Sequence, residues 1–284
     1  METKMTRKQR SDTIILDKNQ LQNDYNELKS VRKVGKKYGI SRETVRKYIH
    51  LYNLNYIKPI KYNCNENFFN EETESAYYFA GFLAADGCLF KKKGESYEVK
   101  LTLKDTDKDI LFKFKQSINS DAPVIETKRL CRVFTRYFNI TTAQFRIASK
   151  IVFNNLKQKF QLTPRKSLTL KFPIKLKNNE LIRHFIRGYF DGDGSIYINH
   201  TDKKSGIKHM RISIVGTKHM LENIRYVLMR ECIIKKGTII KINNIYELRY
   251  GGNNIVYAIY KYLYKDATLF LERKKLKFEY ISPR

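Results

Sequence analysis

The sequence predicts an α+β fold, two similar halves behind a small all-α domain, and three observations carry that prediction. The segment Phe79-Ala-Gly-Phe-Leu-Ala-Ala-Asp-Gly87 returns as Ile186-Arg-Gly-Tyr-Phe-Asp-Gly-Asp-Gly194. The residues after each copy parse into the same series of elements. Ahead of both lies a short, separately periodic helical segment, Val31 to Ile49.

Residues 1–20 are polar and charged without an apolar period and read as a basic flexible arm. In residues 21–55, Val31, Val34, Tyr38, Ile40, Val45, Tyr48 and Ile49 describe two short helices joined at Gly39, with Gly35 at their crossing. Ser41 is a natural N-cap, and Arg42, Thr44, Arg46 and Lys47 remain outside. Residues 56–73 are Tyr- and Asn-rich with Pro59 and read as a linker. Repeat 1 (74–176) opens with a helix at 74–85. It continues through a hairpin (89–92 and 97–103), a helix (106–118), strands at 124–127 and 145–148, and a helix at 149–160. Repeat 2 (177–284) matches it: helix 181–192, strands 195–200 and 210–214, helix 218–230, strands 238–242 and 246–250 about Asn243-Asn244, and helix 255–264. Each half then places basic residues after its last full helix: Arg165 and Lys166, and Lys274 and Lys275. These four are weaker candidates for basic groups near a reacting centre, and surface solvation or helix-dipole compensation is the favoured reading.

In each motif helix small residues recur at i, i+4, Gly81 with Ala85 and Gly188 with Gly192, which sets them on one face and lets two backbones approach. Packed through those faces, the helices bring Asp86 and Asp193 to one end. There they meet unpaired helix C-terminal carbonyls, and neither motif holds a cation after them, so the arrangement calls for a positive ion. The bland alternative is that Asp-Gly merely ends a helix in a turn. Helices on one side of each half leave a free sheet face, on which Lys91, Lys93, Tyr97, Lys100, Thr102 and Lys104, and Tyr197, Asn199, Arg211 and Ser213, are expected to point outward toward a DNA groove.

Composition bounds the partner. Among 284 residues, 56 Lys+Arg face 28 Asp+Glu, a formal charge of +28, which points to a polyanion and foremost to nucleic acid. No amphipathic basic helix or lipidation signal supports a membrane surface. No apolar run approaches a span, and the N-terminus lacks a signal-peptide core, so an intracellular protein is expected. Cys64, Cys88, Cys131 and Cys232 are scattered without metal spacing and read as packing residues.

The segment from Val31 to Ile49 resembles the helix-turn-helix of resolvase-like and transposase-like DNA-binding domains, which implies that Arg42 to Lys47 enter a major groove. An ordinary helical hairpin with a basic face is the competing reading. The paired motifs resemble those of the single-chain, two-repeat LAGLIDADG homing endonucleases over roughly residues 74–284. That resemblance implies αββαββα repeats, the motif helices as the interface between halves, and a saddle-shaped sheet on double-stranded DNA with a long specific site. It implies divalent metal at Asp86 and Asp193, with the carbonyls of Ala85 and Gly192 as further ligands. The cofactor expected is Mg²⁺, with Mn²⁺ able to substitute. The motif's earlier Asp is present as Asp191 but is Ala84 in the first copy; in the family that position is usually structural.

Phosphodiester hydrolysis needs an in-line water and neutralisation of the charge that builds on the phosphate, which carboxylate-held Mg²⁺ can supply. By similarity Lys218 is the third catalytic candidate, and its counterpart in the first repeat falls near Asp107, an acid, so unequal half-sites are expected. The activity implied is a double-strand break with short 3′ overhangs, made by a monomer from an intron-encoded or free-standing element. A non-cleaving DNA-binding regulator is the second reading, though such proteins have usually lost the acids. An RNA maturase is the third, and only under it is RNA a partner. An intein is not expected, since the chain begins with Met and lacks a terminal His-Asn.

Overall fold

In the computed structural model the described residues are 15–28, 30–55, 62–92, 96–133, 136–176, 178–200 and 208–279. The chain divides into two compact units, residues 1–61 and 62–284.

The N-terminal unit holds three helices, α1 (Lys18–Leu28), α2 (Val31–Lys37) and α3 (Arg42–Leu51). Ser30 and Ser41 cap α2 and α3, their hydroxyls accepting from the amides of Lys33 and Thr44. Between these helices Gly39 has φ +66°, where an L side chain is strained. At Gly35 a Cβ would lie 2.8 Å from the Ile40 carbonyl oxygen, so the crossing expected there is real. Leu16, Leu21, Tyr25, Val34, Val45, Ile49 and Leu54 form a core of its own. The arm is therefore shorter than residues 1–20: Leu16 is buried in that core, its carbonyl accepts from the Tyr52 hydroxyl at 2.7 Å, and α1 begins at Lys18. Residues 1–14 lie outside the described residues.

The second unit repeats one series of elements twice. The first is α4 (Glu74–Ala85), β1 (Gly87–Lys92), β2 (Ser96–Lys104), α5 (Asp109–Ser117), β3 (Ile125–Val133), β4 (Arg136–Ile147) and α6 (Lys150–Phe160). The second is α7 (Asn179–Asp193), β5 (Gly194–His200), β6 (Lys208–Gly216), α8 (Lys218–Cys232), β7 (Thr238–Ile242), β8 (Ile245–Gly251) and α9 (Asn253–Tyr264). Each half folds into a four-stranded antiparallel sheet, ordered β1-β2-β4-β3 and β5-β6-β8-β7. An additional helix, α10 (Glu272–Glu279), follows α9.

Residues 62–73 are no linker. Phe68 and Phe69 are buried in the main core, the Asn65 amide donates to the Ile118 carbonyl, and the Ser149 hydroxyl donates to Glu66. The aromatic pair supplies apolar surface that the polar neighbours conceal in composition. The strands β3 and β4 are much longer than expected. Residues 125–130 of β3 are exposed on both faces, so polar and basic residues obscured a strand whose length comes from backbone pairing rather than burial.

Candidate active site

Helix α4 is buried around most of its circumference, from Ala76 to Ala84, because α7 covers one side and its own sheet the other. Contact at that interface is backbone to backbone. A Cβ on Gly81 would sit 2.0 Å from the Phe185 carbonyl oxygen, and one on Gly188 would sit 1.9 Å from that of Tyr78. One turn further on, a Cβ on Gly192 would lie 2.3 Å from the Ala85 Cβ and 3.3 Å from Asp86 Oδ2. All four small residues thus lie in the interface as expected, and the two Asp-Gly corners abut.

The interface is pinned from both repeats. Buried Arg187 donates to the carbonyls of Leu263 and Leu269 and pairs with Glu74 of the other repeat, whose carboxylate also accepts from the Thr268 amide at 2.9 Å. Asp191 is buried and accepts from the hydroxyls of Tyr78 and Tyr264, at 2.8 and 2.6 Å, and from the Leu271 amide at 2.8 Å. With its oxygens so occupied, Asp191 is a tie between α4, α7 and the C-terminal segment. Ala84 is buried at the matching place and makes no such tie.

The cations that face the aspartates come from outside the motifs, since Arg187 is taken up by Glu74. Lys166 is 7% exposed and donates from Nζ to the Ala85 carbonyl at 2.9 Å. Lys274 is 4% exposed and donates to the carbonyls of Phe190, Gly192 and Gly194 at 2.7, 3.2 and 2.6 Å. Each ammonium caps the helix end of its own repeat and acts across the interface, Lys166 most strongly on Asp193 and Lys274 more on Asp86 than on Asp193. Burial corrects the surface-solvation reading of these two lysines, while the carbonyls they cap fit helix-dipole compensation; the signal was available, since basic residues recur after the last full helix of both halves. The other two differ. Arg165 is exposed, and Lys275 sits 4.1 Å above the Phe270 ring.

Burial sets the protonation of this cluster. It lifts the Asp193 pKa to about 6, with Asp86 adding to the rise and Lys166 and Lys274 opposing it. Asp86 keeps a solvent-facing surface, yet atoms crowded about its carboxyl still raise its pKa, against Lys274, Lys166 and Arg273. Burial likewise lowers Lys166, and lowers Lys274 to about 8. Asp193 thus binds its proton more tightly folded than unfolded, where a carboxyl titrates near about 3.9. Its contribution to stability is present at low pH and is lost as pH rises through about 6. With metal chelated, Asp193→Asn is therefore expected to stabilise the protein by about 2 kcal/mol at neutral pH and by little below about pH 4. Urea titrations at both pH values measure this; an equal or lower midpoint for the variant at neutral pH would refute it.

Lys218 stands apart. It begins α8, is exposed, and faces Glu222 at 3.9 Å. The cations acting most strongly on the aspartates are Lys166, Lys274 and Arg273. Asp107, the residue expected opposite Lys218, is buried and accepts a bidentate pair from Arg273, Nε at 2.8 Å and Nη2 at 2.9 Å.

The sheet face is partly as expected. Tyr197 and Arg211 are directly paired and share the outer face, with the guanidinium 5.1 Å from the ring centre. Ser213 shares that face but is 2% exposed and bonded to Glu247, which also accepts from Arg249, so it is covered rather than offered. In the first repeat, Lys91 pairs with Tyr97 and Cys88 with Lys100. Strand parity therefore puts Lys91 and Tyr97 on the face of Leu89 and Val99, while Lys100, Thr102 and Lys104 line the other. The outer face instead carries Cys88 and Phe90, both exposed, with the Lys100 ammonium 5.1 Å from the Phe90 ring. Cys88 is thus no packing residue. Superposing the motifs would have found Phe90, which stands where Tyr197 stands. Lys93 and the side chains of Asn199 and Cys131 lie outside the described residues.

The second half also matches a known sequence family: residues 180–263 fit the model of the LAGLIDADG-like domain. The chain thus carries a LAGLIDADG-like domain in its second half. Its LAGLIDADG-like domain spans α7 to α9, and the elements α4 to α6 repeat that architecture. A curated relative, the probable translation initiation factor IF-2 of Methanocaldococcus jannaschii, is 27% identical over 168 residues, 58% of this chain and 12% of that protein. The chain therefore spans about an eighth of the length of that relative. Among solved structures, mesophilic variants of the homing endonuclease I-DmoI are 17% identical, covering 73% of this chain and 98% of theirs, with a TM-score of 0.47. The meganuclease I-SmaMI bound to uncleaveable DNA is 12% identical, covering 72% and 86%, with a TM-score of 0.49.

In the N-terminal unit, Arg42, Arg46 and Lys47 are exposed on α3 and Thr44 is half-buried. Glu43 lies 3.2 Å from Arg42 and 3.3 Å from Arg46. Among the described residues no helix is long and apolar enough to cross a membrane.

Proposed function

We propose that this protein is a site-specific DNA endonuclease that hydrolyses one phosphodiester in each strand and leaves short 3′ overhangs. The observation that carries the reading is the meeting of Asp86 and Asp193 at abutting helix ends, each faced by a buried lysine that caps the helix of the opposite repeat.

Among the described residues no cluster of three or more His, Cys, Asp or Glu side chains occurs, so the donor set is two carboxylates. Such a set suits Mg²⁺, which takes few carboxylates and fills its shell with water and phosphate. When bound there, Mg²⁺ supplies charge neutralisation and a water of lowered pKa. The carboxylates are the primary ligands, because the Ala85 and Gly192 carbonyls already accept from lysines. Lys166 and Lys274 hold those carbonyls, fix the two corners, and set positive charge beside the phosphate that the aspartates approach. This assigns to them the role expected of Lys218. The proton lost by the attacking water passes to solvent.

Lys100, Lys104, Tyr197 and Arg211 on the outer sheet faces then contact DNA, with Phe90 added to that set. The N-terminal unit binds a further stretch through α3, with Arg42, Thr44, Arg46 and Lys47 toward the groove, and raises affinity by tethering. Removing residues 1–60 is expected to weaken binding by roughly 10²-fold and leave the cleavage position unchanged. Sequencing the cut ends of both forms checks this, and a shifted cut would overturn it.

The function itself is tested by enriching bound duplexes from a random or genomic library in Ca²⁺, adding Mg²⁺, and sequencing the ends. Defined breaks on both strands are expected. Tight, specific binding with intact DNA in Mg²⁺ would establish the regulator instead.

A further inference from the structure

Beside the paired aspartates, a cavity of about 240 Å³ opens between the start of β5 and α10, lined by Ser195, Tyr197, Arg273, Lys274 and Lys277. Its wall on α10 is entirely basic, since Arg273, Lys274 and Lys277 stand at helical neighbour spacing and share one side. Its other wall offers a hydroxyl from Ser195 and another from Tyr197, both on the outer face of the sheet. The three cations are held differently. Lys274 is tied to three carbonyls. Arg273 is oriented by Asp107 of the first repeat through Nε and Nη2, which leaves Nη1 without a protein partner among the described residues. Lys277 is exposed and carries no ion pair there.

We infer that this cavity is a seat for one DNA backbone phosphate, built in the second repeat alone. Three cations and two hydroxyls lining one recess suit a tetrahedral oxyanion, and a planar guanidinium restrained on one edge presents the other edge to it. Among the described residues the first repeat offers no matching set. Matching the two motifs puts Cys88 where Ser195 stands and Phe90 for Tyr197, and matching Lys166 to Lys274 by their shared capping role puts Arg165 for Arg273 and Thr169 for Lys277. A thiol and a phenyl ring donate little or nothing to phosphate oxygens, and Thr169 brings no charge. An off-centre phosphate contact distinguishes the two ends of an almost symmetric surface, so it biases which way round the protein sits on DNA. The inference rests on the DNA reading above.

The test is a salt titration of binding to a mixed-sequence duplex, in Ca²⁺, for the full-length wild type, Lys277→Ala, Lys277→Arg and Thr169→Ala. Thermal unfolding of each protein is run alongside. Lys277→Ala is expected to bind roughly five- to tenfold more weakly at low salt and to reduce the slope of log K against log salt by about 0.9, the loss of one phosphate contact. Lys277→Arg restores most of both, and Thr169→Ala changes neither. A wild-type slope for Lys277→Ala, or an equal effect of Thr169→Ala, overturns the seat while leaving the DNA reading intact. Failure of the wild type to bind the duplex at low salt overturns both.

Discussion

Gly188→Ala is expected to destabilise the second unit by about 4 kcal/mol or more, and Gly81→Ala by a similar amount. The added methyl group would lie 1.9 Å from the Tyr78 carbonyl oxygen in the first case and 2.0 Å from that of Phe185 in the second. Both obstacles are backbone within a helix, so no side chain can swing aside and the helices must separate. Separation opens the packing of Tyr78, Phe82, Phe185 and Tyr189, all buried, and stretches the Asp191 ties. At Gly251 a Cβ meets nothing within 4 Å, so Gly251→Ala serves as the control. Urea unfolding of the three variants decides the matter. Wild-type midpoints for Gly188→Ala would mean that the helices do not approach through these residues.

Asp86→Asn and Asp193→Asn are each expected to reduce double-strand cleavage by at least about 10³-fold, roughly 4 kcal/mol of transition-state stabilisation. Binding to the same duplex in Ca²⁺ should survive, because each change removes a negative charge from beside phosphate. The two half-sites are unlike. Burial raises both aspartates against Lys166 and Lys274, but Arg273 also acts on Asp86, and Asp86 itself adds to the rise of Asp193 to about 6. On supercoiled substrate the wild type should therefore pass through nicked circle before linear product. Linear product with no nicked precursor would disprove the inequality, and near wild-type cutting of both strands by either Asn variant would remove the aspartates from the mechanism. Lys166→Met and Lys274→Met remove a lysine's charge and its capping bonds together. Cleavage should fall in both, and stability should fall more for Lys274, which serves three carbonyls where Lys166 serves one.

Much of this molecule is local in origin and could be read directly. The repeat of the motif implied two like halves because each motif helix carries the small residues that permit close approach. Its Asp-Gly ending placed the acids at the helix end. Ser41, Gly39 and the apolar period marked α2 and α3 because caps and turns act through hydrogen bonds a few residues long. What eluded local reading depends on partners distant in sequence. Lys166 and Lys274 look like solvated ends of basic runs, and only the folding of each chain segment back over its helix end buries them. The first hairpin's faces, by contrast, were legible locally: Tyr97 and Lys100 stand an odd number of residues apart on one strand, so alternation alone splits them, and pairing sets Lys91 opposite Tyr97 and Cys88 opposite Lys100. Ser213 lies on the expected face and is nonetheless hidden, since Glu247 and Arg249 arrive from a neighbouring strand. Composition and period thus determined the elements, the repeat and the two aspartates. The tertiary structure decided which charges surround those aspartates, because burial and electrostatic proximity are properties of packed neighbours rather than of the chain's order.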